Sequence, residues 1–223
     1  MSDTLSGFLP SLLEYSVEEL RRKCLFIQQH KATVLDLTHQ QTLSLHLDSV
    51  LPEFAKSRAV MTSLSIQTVL DVLAEFFQDQ PLILSIHLMG ETEDMIDVYK
   101  VFEQYNLPKH WQITILVSET SRLVFETLFA NKKHVNVGTW LDLSEWGQYN
   151  FQPKKDYLLM TVLAGKSGQI RKDIDKNAVV AIAKKNAESK FIVDGGWLVD
   201  EQFHQKNMEI VSYSSFWKAI GYK

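Results

Sequence analysis

Apolar β-type runs alternate with amphipathic stretches along most of this chain. Residues 7–12, around Phe8 and Leu9, predict a first strand. Ser16-Val17-Glu18-Glu19 follows with the spacing of a capping box, in which a serine hydroxyl meets the N3 amide and Glu19 reaches back. Val17, Leu20, Cys24 and Ile27 then fall on one face of a helix. Residues 32–38, Ala-Thr-Val-Leu-Asp-Leu-Thr, predict a second strand. Ile66, Val69, Leu70, Leu73 and Phe77 mark a helix, and residues 81–88 a strand with almost no alternation. Further strands are predicted at 113–117, 135–137, 156–162, 191–194 and 208–212. Helices are predicted around Val98–Phe102, at 123–129, 141–146, 179–187 and 214–220, with a short one near Asp200.

The pattern gives eight strand–helix units. Near-continuous apolar strands are expected where both faces of a parallel sheet are covered. Eight such units predict a closed TIM (β/α)8 barrel spanning residues 1–223 as a single domain. A doubly wound open sheet is the competing architecture, but the chain carries no GxGxxG and no Walker loop to support it. The stretch 39–64 is long for a βα connection and reads as an insertion on the loop side.

Composition narrows the function classes. A formal charge of −4 without clustered cations argues against nonspecific nucleic-acid binding. No apolar run approaches the roughly 18 residues of a membrane helix. Met1-Ser2-Asp3-Thr4 has neither the basic flank nor the apolar core of a secretory signal. The single cysteine, Cys24, forms no internal disulfide, so a reducing, cytoplasmic compartment is the expectation.

In a βα barrel, chemistry gathers where strands end and loops begin. The predicted second strand ends with Asp36 and Thr38, the third with His87, and the seventh with Asp194-Gly195-Gly196. Asp36, His87 and Asp194 would converge at the mouth. One imidazole and two carboxylates suit a divalent metal, with Zn, Mn, Fe and Co all compatible. Two carboxylates on opposite walls also suit proton exchange with a carbon acid between them. Gly195, Gly196 and the start of the last helix offer N–H groups to a phosphate. Each feature has a plainer reading alone: Asp36 as a cap, His87 as a satisfied core histidine, Asp194-Gly-Gly as a tight turn. The other histidines read as solvated, except in His46-Leu47-Asp48, whose spacing suits joint metal binding on a strand.

Taken in order, these segments resemble the ribulose-phosphate 3-epimerase family. Pro10-Ser11-Leu12-Leu13 with Val17-Glu18-Glu19-Leu20 resembles its first strand and helix. Ile86-His87-Leu88-Met89 resembles its HLM motif, and Leu159-Met160-Thr161-Val162 with Gly165 and Gly168-Gln169 its MTVxPGxxGQ segment. Ile192-Val193-Asp194-Gly195-Gly196 is similar to its VDGG motif, and Val211-Ser212-Tyr213-Ser214-Ser215-Phe216 to its VSGSAIF segment. The resemblance implies a TIM barrel, a divalent metal and a phosphorylated sugar substrate. It also implies two-base epimerisation, with one Asp removing a proton beside the carbonyl and another returning one to the opposite face.

On that footing Asp36 and Asp194 are the acid/base pair, and Asp36, His87 and Asp194 the metal ligands. Ser11, Met89, Gly165, Gly168, Gly195, Gly196 and Ser214 are the substrate and phosphate contacts. The family's second strand carries HxDxxDG, whereas residues 34–40 here read Val-Leu-Asp-Leu-Thr-His-Gln. Either Asp36 matches the catalytic Asp and Val34 replaces the ligand His, or Asp36 takes the His position and Thr38 the base. A third arrangement makes His46-Leu47-Asp48 the matching strand. Lys166 stands in the sixth-strand loop, where it would pair with phosphate, and Tyr213 replaces a phosphate-contacting Gly. The expected activity is epimerisation of a phosphorylated ketose. The alternatives are a barrel that binds a phosphosugar without turnover and a scaffold; barrel helix faces would also support a homo-oligomer.

Overall fold

The computed structural model describes residues 7–90, 92–162, 175–195, 197 and 205–222. Eight parallel strands close into a barrel in chain order. They are β1 (Gly7–Leu12), β2 (Leu43–Val50), β3 (Leu82–Met89), β4 (Trp111–Ser118), β5 (Val135–Leu141), β6 (Asp156–Met160), β7 (Lys190–Asp194) and β8 (Met208–Ser212). The barrel closes where β1 pairs with β8, Leu9 opposite Val211 and Pro10 opposite Ser212. The expected TIM barrel is the fold.

The helices line the outside. Between β1 and β2 run α1 (Val17–Gln29) and α2 (Lys31–Thr38); between β2 and β3 run α3 (Pro52–Arg58) and α4 (Ile66–Phe77). Then come α5 (Thr92–Gln104), α6 (Glu119–Phe129), α7 (Leu143–Trp146), α8 (Lys176–Lys185) and α9 (Ser214–Ala219), one in each later connection except β7–β8 among the described residues. The helix expected near Asp200 lies outside the described residues. Ser16 caps α1 as predicted, accepting from the Glu19 amide at 3.5 Å. The Glu19 carboxylate, rather than reaching back, engages Arg22 and the Tyr222 hydroxyl. Leu20, Cys24 and Ile27 on α1 pack under Ile66, Val69, Leu70 and Leu73 of α4 in the largest apolar cluster.

One predicted strand is a helix. Residues 32–38 belong to α2, and the second strand is 43–50, inside the stretch expected to be an insertion. In α2, Val34 and Thr38 fall four residues apart on the buried face, and the Thr38 hydroxyl donates to the Val34 carbonyl at 2.7 Å. His39, with φ 53°, closes the helix by donating its amide to the Asp36 and Leu35 carbonyls. Helical spacing of the buried positions outweighs the β-propensity of Thr33, Val34 and Leu35.

Strand β2 alternates instead. Leu43, Leu45 and Leu47 join the cluster beneath the outer helices, whereas Ser44, His46 and Asp48 alternate with them on the opposite face, inside the barrel. All eight residues are buried. Leu9, Leu116, Leu158, Ile192 and Val211 form one apolar cluster with Val50, Met89 and Met160. Phe54 and Ala55 of α3 join this cluster, so the β2–α4 connection folds onto the mouth. Strand β5 continues past its predicted end at 137, because Gly138 lets β6 approach: a Cβ there would lie 2.5 Å from the Asp156 carbonyl.

Candidate metal centre at the barrel mouth

Strand register brings four side chains together. Asp48 of β2 pairs with His87 of β3, His46 of β2 with Ser11 of β1, and Met160 of β6 with Asp194 of β7. Side chains two apart along β2 share the inner face, so His46 and Asp48 both point into the barrel. One potential ligand atom from each of His46, Asp48, His87 and Asp194 lies within 4.8 Å of all the others. Both imidazoles are fully buried, Asp48 is 8% exposed, and Asp194 is half-buried at the rim.

Hydrogen bonds orient the set. Ser85 Oγ donates to the Leu45 carbonyl at 3.4 Å, leaving its lone pair for His46 Nδ1 at 2.9 Å. With the proton on Nδ1, His46 Nε2 presents a lone pair 3.4 Å from Asp48 Oδ1. His87 Nδ1 approaches the same oxygen at 3.2 Å. Ser11 Oγ donates to the other oxygen, Asp48 Oδ2, at 2.9 Å. A lone pair held against a carboxylate oxygen in a buried site needs a proton or a cation between them. Among the described residues His46 Nε2 has no well-formed hydrogen bond, nor has His87 Nε2. Two imidazoles and two carboxylates form a donor set that suits Zn and also accommodates Mn, Fe or Co. The residues fit a divalent cation.

The electrostatics divide the two carboxylates. Burial raises the pKa of Asp48, but adjacent His46 and His87 outweigh it and hold the group far below the usual carboxylate range. Burial and the charge of Asp48 push Asp194 up to about 7. Burial lowers the pKa of His46, yet Asp48 beside it turns the net shift upward; for His87 burial prevails and the shift is downward.

The chain shares its fold with a known enzyme subunit. The tryptophan synthase A-subunit of the hyperthermophile Pyrococcus furiosus superposes with a TM-score of 0.53 at 13% identity, over 96% of this chain and 90% of that one. A mutant of the same alpha-subunit superposes with a TM-score of 0.50 at 13% identity, over 97% and 91%. At that identity the likeness concerns the barrel alone. No protein-family profile matches the chain, and no curated protein does.

Of the residues expected at the site, His87, Asp194 and Ser11 are brought together there. Met89 ends β3 buried in the interior cluster, and Gly195 follows Asp194 with φ 101°. At Gly195 a Cβ would lie 2.2 Å from Val162, so glycine is required by both space and backbone. Ser214 is the exposed first residue of α9. Gly165, Gly168, Gly196 and Lys166 lie outside the described residues. Asp36 is corrected: it is an exposed residue of α2, on the outer layer, and is neither ligand nor acid/base. Asp48 stands in the cluster instead, and His46 joins it. The signal for both was the His-x-Asp spacing on an alternating stretch.

Proposed function

We propose that this protein is a metal-dependent isomerase of the ribulose-phosphate 3-epimerase type, acting on a phosphorylated ketose. The convergence of His46, Asp48, His87 and Asp194 on one point of the mouth carries this reading. Three segments that resemble the family's motifs supply them: His46-Leu47-Asp48 on β2, His87-Leu88-Met89 on β3 and Asp194-Gly195 on β7. The match on β2 is to the HxD half of HxDxxDG; Leu51-Pro52 stands where the motif has Asp-Gly.

The four side chains would hold the cation, which when bound supplies a Lewis acid for negative charge on the substrate's carbonyl oxygen. The chain's own residues provide the rest. Asp48 and Asp194 belong to β2 and β7 and reach the mouth from different walls. One removes the proton from the carbon beside the carbonyl, and the other returns a proton to the opposite face. The hydrogen bond from Ser11 fixes the Asp48 carboxylate, so that Oδ1 stays with the imidazoles. Leu9, Met89, Met160 and Val211 give the reacting carbon a dry floor.

A second reading, sugar-phosphate binding without turnover, has one observation in its favour. Tyr213, at the β8–α9 turn where the family has a phosphate-contacting Gly, is tied down by Lys23 Nζ at 2.9 Å. The discriminating experiment is metal analysis of protein prepared without chelators, followed by solvent deuterium exchange into ketose phosphates. About one equivalent of metal, lost in Asp194→Ala, with deuterium entering beside the carbonyl, is the expected result. Metal with no exchange selects the second reading; no metal after soaking overturns both forms of the metal site.

A further inference from the structure

Trp140 stands on the inner face of the barrel, beside the metal centre. The ladder fixes this: His87 pairs with Leu116, Leu116 with Gly138, and Trp140 is two residues beyond Gly138 on the same face of β5. On its other side Trp140 pairs with Leu158 of β6, whose own inner-face neighbour Met160 pairs with Asp194. The indole packs against the interior cluster that holds Met89, Leu158 and Met160. Its ring centroid lies 5.3 Å from that of His87, edge against face. Its Nε1–H is buried and has no hydrogen-bond partner among the described residues.

That last observation is the informative one. Three of the other four tryptophans have an acceptor: Trp111 Nε1 donates to the Phe77 carbonyl at 3.1 Å, Trp146 Nε1 to the Met160 carbonyl at 3.2 Å, and Trp217 Nε1 to the Ser11 carbonyl at 3.2 Å. A buried donor without a partner costs free energy, so its retention calls for an acceptor that comes and goes. A phenylalanine would fill the same wall without that cost. The donor belongs to a ring in contact with a proposed metal ligand, at the level of the mouth rather than in the barrel floor.

We infer that Trp140 is a substrate contact and a specificity determinant: its indole N–H donates to a hydroxyl or carbonyl oxygen of the ketose phosphate close to the reacting carbon, and its ring walls the β4–β6 side of the mouth. This rests on the function proposed above and adds a residue outside the motifs that support it. A polyhydroxylated chain is the chemical class that supplies oxygen acceptors along its length.

The test uses the zinc-loaded protein with ribulose 5-phosphate and a panel of ketohexose phosphates. Trp140→Phe keeps the aromatic wall and removes only the donor. Its kcat/KM for solvent exchange should fall by about threefold to tenfold, the effect of one neutral hydrogen bond, with metal content unchanged. In the wild type, the indole resonance that disappears in Trp140→Phe should move on adding the reactive ketose phosphate and stay still on adding inorganic phosphate alone. An unmoved resonance at saturation, or a kcat/KM within twofold of wild type, overturns the assignment while leaving the epimerase reading intact. A wild-type protein that binds metal but neither binds nor exchanges any ketose phosphate fails that reading, and this one with it.

Discussion

Ser11 donates a hydrogen bond to Asp48 across the β1–β2 ladder, Oγ to Oδ2 at 2.9 Å. Both groups are buried, so the bond decides which carboxylate oxygen faces the imidazoles. Losing a donor that fixes a metal-binding carboxylate in this way typically alters metal affinity by about tenfold to a hundredfold. Ser11→Ala is therefore expected to weaken zinc binding by roughly that range while the fold persists. Competition titration against a chromophoric chelator measures it; unchanged affinity would mean that Asp48 holds its rotamer without help.

The raised pKa of Asp194 makes a prediction about stability and its sign. In the folded, metal-free chain the group titrates at about 7. An unfolded chain titrates it near the ordinary value, about 3.9. Between those values the folded state binds more protons, so this group's contribution to stability declines as pH rises across the window. Asp194→Asn removes the ionisation. Its melting temperature in chelator should exceed that of wild type at about pH 8, and the excess should shrink as pH falls and vanish only below about pH 3.9. A pH-independent difference would show that Asp194 is not held neutral.

Metal and proton compete for the same carboxylate. Zinc binding near pH 6 should release a proton from Asp194 that it no longer releases near pH 8, on the order of one per ion. Calorimetry in two buffers of different ionisation enthalpy reads this directly. Equal proton release at both values would place the cation away from Asp194.

Away from the cluster, Lys23 of α1 is buried against Glu14, with the Tyr213 hydroxyl at 2.9 Å and the Tyr213 and Trp217 rings at 4.5 and 5.0 Å. Burial lifts the Glu14 pKa in spite of the paired ammonium. Removing one member of such a pair strands the other, a loss of about 3–5 kcal/mol, whereas replacing both with apolar groups is often neutral. Lys23→Met should thus be strongly destabilising in urea unfolding, and Lys23→Met with Glu14→Leu should recover most of the loss. A double variant no better than the single one would rule out a stranded charge as the cause.

Most of the barrel was legible in the sequence because most of its strands are apolar on both faces. Strands β3 and β8 fall within one residue of the predicted bounds. Strand β2 was not legible as a strand, and the reason is physical. Its inner face is polar because it forms the site, so Ser44, His46 and Asp48 broke the apolar run that marks a buried parallel strand. The neighbouring Thr-Val-Leu run of α2 offered a better imitation. Asp36 followed that error, so Asp36→Ala should leave metal binding unchanged, as an equilibrium titration would show. His87 and Asp194 were legible because each ends an apolar run. Trp140 gave no local signal: its role depends on a contact with His87 across two strands.

Cys24 lies fully buried on the α1 face beneath α4, with its thiol pushed up to about 12 by burial. The thiolate, not the thiol, attacks alkylating reagents, so the native chain is closed to them at neutral pH. With one cysteine in the sequence, every modification event must pass through separation of those two helices. The rate of native-state alkylation is therefore an intrinsic clock for opening of the outer layer, and metal-dependent slowing of that clock would report coupling between the mouth and the barrel's flank without any label being introduced.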